Sequence, residues 1–201
     1  MSANRWSGMI GLMALALTAC GGVGTPGVVS GNSGAGKTGA PLAVIPVTNQ
    51  PMSADEQKIF DDVNAARAQP RTCGTVGFAA AGRLTWSAQL QAAARAHSED
   101  MAQNGYREVT PGEQDAPHNG SDGSTPQQRV TATGYSWQTS GENVAAGYTV
   151  GGPQDVVVGW LNSPEHCENI MNPKFREIGV SYIVNDNMKY NRFFTQDFGS
   201  R

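Results

Sequence analysis

Residues 141–180, GENVAAGYTVGGPQDVVVGWLNSPEHCENIMNPKFREIGV, decide how the rest of this 201-residue chain is read. The segment opens with a single acid, Glu142, among small and apolar neighbours, where a carboxylate has to find a charged or hydrogen-bonding partner to be buried. Gly152-Pro153 opens a helix, because Pro suits a first turn. Val156, Val157 and Trp160 give that helix its apolar bulk, and it is expected to stop near Ser163-Pro164. A histidine beside a cysteine follows, His166 and Cys167. After Pro173, residues 178–184 read as a strand, pairing with 192–198 across Asn185-Asp-Asn-Met. Two of the three cysteines and two of the three histidines lie outside this segment. Of these, His118 and Cys73 are expected to fold back onto it.

Upstream, Ser53-Ala-Asp-Glu56 is a capping box. It starts a helix in which Ile59, Val63 and Ala66 share a face with Phe60 beside them, and Pro70 ends it. Ser87 caps a second helix that Gly105 closes. Leu90, Ala94, His97 and Met101 fall on its inner face, so His97 is read as a core histidine. The polar loop 108–123 carries Asp115, His118, Asn119 and Asp122 without the spacing of a calcium loop. Thr125-Pro126 starts a short helix running to about Ala132. Helices early and strands late predict an α+β domain, a mostly antiparallel sheet covered by helices.

Composition is that of a soluble globular protein, 39% hydrophobic and 15% charged. A formal charge of −3 gives no electrostatic reason to expect nucleic acid as a partner. Residues 1–19 have the layout of an export signal: Arg5, an apolar run from Met9 to Leu17, then small residues. That run is too short to span a bilayer. It ends in Leu17-Thr18-Ala19-Cys20, which resembles a bacterial lipobox and implies cleavage before Cys20 and lipidation of its thiol. Several acyl chains would anchor the protein stably in a membrane. Gly21 follows Cys20, with no aspartate to suggest inner-membrane retention, so the outer membrane is expected if the host has two.

Residues 20–51 are rich in Gly, Pro, Ser and Thr and are expected to be a flexible linker, leaving 52–201 as the globular domain. The linker contains GNSGAGKT at 31–38, a literal match to the phosphate-binding pattern GxxxxGK[ST]. That pattern needs a buried strand before it and a helix after it. Val28-Val29 is too short for the strand and Pro41 interrupts the helix, so no nucleotide is expected.

The globular part resembles the CAP superfamily of cysteine-rich secretory proteins, antigen 5 and pathogenesis-related proteins, in its compact bacterial (SCP-like) form. The resemblance covers about residues 53–199. It rests on Asn64-Ala-Ala-Arg67, Leu84-Thr-Trp86, Leu90, Ala93 and the run His97-Ser-Glu-Asp-Met101, then His118 and Arg129 to Gly134-Tyr135. Gly141-Glu142-Asn143, Trp160-Leu-Asn-Ser163-Pro-Glu-His166, Asn172-Pro-Lys-Phe-Arg-Glu-Ile-Gly179-Val and Thr195-Gln-Asp-Phe198 complete the order. The resemblance implies an α-β-α sandwich and a cleft built from two histidines and two glutamates. His118, Glu142 and His166 carry over. The second glutamate falls on Ser163, whose hydroxyl can bond a histidine or water but cannot replace a carboxylate as a base.

Two imidazoles converging on a cation suit zinc or another divalent metal, with Glu142 as a ligand or as the carboxylate that orients an imidazole. His118 and His166 stand 48 positions apart, with no HExxH helix. With Cys20 lipidated, Cys73 and Cys167 are the two thiols left in an oxidising compartment, and a Cys73–Cys167 disulfide is expected rather than a cysteine nucleophile. Three functions follow. The favoured one is an envelope binding module whose His/Glu/His cleft holds a cation and a lipid or cell-wall ligand. The others are a metal-assisted, protease-like hydrolase with His118, Glu142 and His166 as catalytic candidates, and a structural lipoprotein with a vestigial cleft.

Overall fold

The computed structural model describes residues 16–20, 43–111, 113, 115–147 and 152–201. Helix α1 (Ala54–Arg67) starts at the expected capping box: Glu56 N–H donates to Ser53 Oγ at 3.1 Å, and Ser53 N–H to Glu56 Oε2 at 2.8 Å. Its inner face buries Ile59, Phe60 and Val63. Two polar residues are buried beside them. Asn64 Oδ1 accepts the Leu84 N–H at 2.7 Å, and the Arg67 guanidinium donates to the carbonyls of Gly82 (2.8 Å), Ile170 (2.6 Å) and Asn172 (3.0 Å). Burial lowers the Arg67 pKa to about 10. These bonds tie α1 to the stretch at residues 82–84 and to that at residues 170–172.

A hairpin of β2 (Arg71–Cys73) and β3 (Val76–Phe78) comes next, followed by β4 (Thr85–Trp86) and the Ser87-capped α2 (Ala88–Asn104). A 3-10 turn spans Ala116–His118, and α3 (Pro126–Ala132) has its own capping box, Thr125 with Gln128. The chain then forms β5 (Thr139–Gly147), α4 (Pro153–Asn162), α5 (Pro164–Met171), β6 (Glu177–Val184) and β7 (Arg192–Ser200). Residues 16–20 form a further strand, β1 (Ala16–Cys20). The main sheet has the order β1-β5-β7-β6-β4, antiparallel except for β4 beside β6.

The architecture is the expected α-β-α sandwich. One face of the sheet packs on α1, α4 and α5 through Ile59, Val63, Trp160, Ile170, Phe194 and Phe198. The other packs on α2, with α3 against α2 and β5. Alternation along each strand sends Ala145, Phe194 and Val180 to the first face. Glu142, Asp197 and Gly179 face α2, and Gly179 is the point of closest approach. A Cβ there would lie 1.9 Å from the Gln91 backbone nitrogen, so only glycine lets the helix settle on the strand.

The structure joins Cys73 to Cys167 in a disulfide across 94 positions, fixing the β2–β3 hairpin to α5. Four features depart from the sequence expectations. Residues 139–147, which carry no clear element signal, form β5. Pro164 does more than end α4, because it also opens α5. The linker is not free to residue 51: residues 43–48 lie against the domain, with Ile45 N–H donating to the Ala132 carbonyl at 3.0 Å. Finally, residues 16–20, expected to be the end of the export signal (to residue 19) and the lipidated Cys20, pair with β5 in the register Ala16↔Ala146 to Cys20↔Glu142. The phosphate-loop pattern at 31–38 and the first 15 residues of the export signal lie outside the described residues.

Candidate functional site around His118 and Glu142

Glu142 sits on β5 facing α2, and the strand register sets Asp197 of β7 beside it. The 3-10 turn delivers His118, and α3 delivers Arg129. His118 Nδ1 lies 2.8 Å from Glu142 Oε1, while Arg129 Nη2 donates to Glu142 Oε2 and to the His118 carbonyl, each at 2.8 Å. Arg129 Nη1 donates to the Ser124 carbonyl at 2.9 Å. His97 of α2 completes the group, its Nε2 2.8 Å from the Pro117 carbonyl. None of these five side chains belongs to a residue more than 3% exposed.

Burial alone would raise the Glu142 pKa, but the Arg129 charge and the His118 hydrogen bond outweigh it and hold the carboxyl below its usual range. An ionised carboxylate only accepts, so His118 Nδ1 carries the hydrogen, and in the neutral ring Nε2 keeps the lone pair. Asp197 goes the other way. Burial, then the neighbouring Glu142 charge, push its carboxyl well above the ordinary value. As a carboxylate Asp197 has no donor among the described residues. Protonated, it can donate to Glu142, and the two carboxyls titrate as a pair. His97, lowered to about 4 chiefly by burial, is neutral at pH 7. Its Nε2 therefore donates to Pro117.

Both Glu142 oxygens are engaged, whereas His118 Nε2 is buried with no partner among the described residues. His118 and Glu142 wall a slot of about 100 Å³, closed by Asp115, Asn119, Thr125 and Gly141. His166 is not part of it. Asn143, the residue after Glu142, points to the opposite face, where its Nδ2 donates to the His166 carbonyl at 3.2 Å. There the His166 ring shares a hydrogen bond of 2.8 Å with Ser163 Oγ. Ser163 therefore meets a histidine, as its hydroxyl allows, but in the α5 layer. The two histidines expected to converge on a cation are separated by the sheet. Among the described residues no group of three or more His, Cys, Asp and Glu side chains could hold a metal ion. With one free nitrogen and both Glu142 oxygens engaged, the donors here do not fit a resident zinc.

The profile of CAP, the cysteine-rich secretory protein family, matches residues 60–198. The chain belongs to the CAP family. Among relatives, the uncharacterised Bacillus subtilis protein YkwD is 38% identical over 94 residues, 47% of this chain and 32% of that protein. The uncharacterised B. subtilis membrane protein YlbC is 28% identical over 149 residues, 74% of this chain and 35% of that one. This chain thus spans about a third of the length of the curated relatives it matches. Among solved structures, an extracellular SCP-domain protein of Bacillus anthracis superposes with a TM-score of 0.56 at 26% identity, covering 76% of this chain and 45% of that one. An outer surface protein of Borrelia burgdorferi superposes at 0.57 and 23% identity, covering 73% of this chain and 92% of that one, and is a likeness of fold. The relatives of this CAP domain include extracellular and surface proteins. No helix among the described residues is long and apolar enough to cross a membrane.

Two members of the site, Arg129 and Asp197, are not candidates on the sequence reading, which also leaves His97 in the core. Asp197 has a signal. Counting by twos from Phe193 through Thr195 places a lone acid on a buried strand face. Arg129 has none, because its partner is 13 positions away on another element.

Proposed function

We propose that this CAP domain is an envelope binding module, held to the membrane through lipidated Cys20, that takes a small hydrogen-bonding end group of a lipid or cell-wall ligand into the slot beside His118. Where the host has two membranes, the outer one is its place. The observation that carries this reading is the asymmetry of the His118 ring. Nδ1 is committed to an ionised Glu142, and Nε2 faces no protein partner among the described residues. A carboxylate that accepts from one ring nitrogen fixes the tautomer and leaves the far nitrogen as an acceptor. The slot, at about 100 Å³, admits an amine or hydroxyl group, not a whole ligand. Hydrolysis is the weaker reading, because Glu142 is held by Arg129 and His118 and has no free oxygen with which to activate water.

The test is a titration of the full chain in detergent with ethanolamine and with glycerol, followed by nitrogen NMR of the His118 ring. Saturable movement of the Nε2 resonance, absent in His118→Ala, is expected; a resonance indifferent to both probes would end the reading. A peptide and cell-wall hydrolysis screen is expected to show no turnover that Glu142→Ala removes. Cys20→Ser is expected to release the protein from the membrane fraction.

A further inference from the structure

The outer flank of α2 forms a second cavity, of about 570 Å³, between residues 91–100 and the loop 120–124. That is within the range of small-molecule sites, roughly 300–1,000 Å³. Its roof is the docked end of the linker: residues 43–46 and Thr48 line it, and the Ile45 N–H bond to Ala132 holds them down. Ala92 and Ala96, one turn apart on α2, leave the space open. On the buried side, Gln91, His97 and Arg129 line the cavity, each at most 3% exposed. Each carries a polar atom with no partner among the described residues: Gln91 Nε2, His97 Nδ1 and Arg129 Nε. An unpaired buried polar group costs about 1–3 kcal/mol. Three residues carrying such atoms, gathered in the walls of one cavity, make that cavity the natural place for a polar occupant.

Those atoms define the occupant. Gln91 Nε2 and Arg129 Nε are N–H donors, whereas His97, whose Nε2 donates to Pro117, presents Nδ1 as an acceptor. Elsewhere in the lining, Asp100 accepts from Ser121 and Asp122 from the Ser124 N–H. The lining carries two cations, Arg95 and Arg129, against three anions, Glu99, Asp100 and Asp122, and Arg129 is already paired with Glu142. An anionic ligand meets this negative balance and gives His97 no hydrogen. A cation offers nothing to the Gln91 and Arg129 donors, and an apolar ligand leaves all three atoms unpaired. Hydroxyl and amide groups both donate and accept, and the C–H face of a sugar ring suits Ala92, Ala96 and Ile45.

We infer that the cavity flanking α2 binds a neutral saccharide, with linker residues 43–48 as its lid. The cavity and the His118 slot share no lining residue, although Arg129, which lines the cavity, also holds Glu142, so the two are tested by separate variants.

Calorimetric titration of the full chain in detergent with N,N′-diacetylchitobiose and with maltose tests it. At least one is expected to saturate below about 1 mM. Ala96→Phe fills the cavity from its partly exposed wall and is expected to weaken binding at least about tenfold, 1.4 kcal/mol by the usual conversion, at an unchanged melting temperature. Ala92→Phe repeats the test one turn earlier should the first variant fold poorly. His118→Ala is expected to leave the saccharide titration unchanged. Ile45→Pro deletes the N–H held by Ala132 and is expected to speed saccharide exchange. The proposal is overturned if neither sugar saturates below about 10 mM, or if a well-folded cavity-filling variant binds like the parent. Loss of sugar binding in His118→Ala would move the site to the slot. Inorganic phosphate binding more tightly than either sugar would overturn the ligand class, and an unchanged exchange rate in Ile45→Pro would overturn the lid.

Discussion

Glu142 and Asn143 are adjacent in sequence and serve opposite faces of β5, and the two faces use buried polar groups differently. On the α2 face, Glu142, Asp197, Arg129 and His118 form a cluster in which burial and the Glu142 charge push the Asp197 carboxyl well above its ordinary value and one imidazole nitrogen has no partner among the described residues. On the α5 face, amides knit the layers together. Asn169 Nδ2 donates to Asn143 Oδ1 at 2.9 Å and to the Glu142 carbonyl at 3.2 Å, and Asn143 Nδ2 donates to the His166 carbonyl and Gln196 Oε1. His166 and Ser163 bond each other, and Cys167 is held by Cys73. The same residue types build a fastened layer on one side and a site with spare valence on the other. Which histidine meets the buried Glu142 is decided by strand parity, not by proximity in sequence.

The comparison breaks first at the fastener. Replacing Cys73 and Cys167 by serine opens a loop across 94 positions and is expected to lower unfolding free energy by about 4–5 kcal/mol on the chain-entropy account, measured by urea unfolding. The His118 slot should keep its probe binding wherever the variant remains folded. Arg129→Met should act on the other face. It leaves Glu142 buried without its permanent counter-charge, a change worth about 3–5 kcal/mol for buried pairs. It should abolish probe binding at His118 as well, because the same guanidinium holds the His118 carbonyl. Equal loss of binding in both variants would mean that the two faces are one cooperative site.

What can be read in the sequence follows the range of the interactions. Capping boxes at Ser53–Glu56 and Thr125–Gln128 are local, and both helices start where their signals stand. The β6–β7 pair is visible because its apolar runs are separated by a turn-rich Asn-Asp-Asn stretch. β5 is hidden because Gly141-Glu-Asn-Val-Ala-Ala is buried on both faces, which erases the alternation that marks a half-exposed strand. α5 is hidden because Pro164 is equally good as a stop and as a first helical residue. Glu142, His118 and the disulfide are legible in the sequence, but residue types alone do not settle whether His166 joins them. Placing Arg129 and Asp197 requires the β5–β7 register and the position of α3, which no single stretch encodes. The docked linker residues 43–48 are hidden by composition, since a Pro-containing apolar stretch beside a Gly-rich run reads as tether.

A smaller effect separates the faces by pH. His97 has a folded value of about 4 against an ordinary 6.5, so the unfolded chain takes up its proton first. The stability it permits is complete above pH 6.5 and falls as the pH drops from 6.5 to 4, by an amount on the order of 3 kcal/mol. Urea midpoints at pH 7, 5.5 and 4 should follow that slope. His97→Gln keeps an N–H for the Pro117 carbonyl and should flatten it, while changes on the α5 face leave it intact. A slope unaltered by His97→Gln would assign the acid sensitivity to another group.

The smallest expected effect is the most discriminating. Ser163→Ala removes the hydroxyl bonded to His166 and should cost about 1 kcal/mol, the ordinary worth of one partly buried hydrogen bond. If strand parity separates the faces, this variant binds ethanolamine or glycerol at His118 as the parent does, and its pH slope is unchanged. Ser163→Glu goes further, restoring the acid that the CAP resemblance places there. The carboxylate would sit beside His166 and raise its pKa, since an adjacent negative charge favours the imidazolium. It still would not reach Glu142 across the sheet. Proton titration of the three histidines by NMR in this variant should therefore move His166 upward and leave His118 and His97 where they were. A matching shift at His118 would show that the serine position and the slot share one field, and the division between a fastened face and an open one would have to be given up.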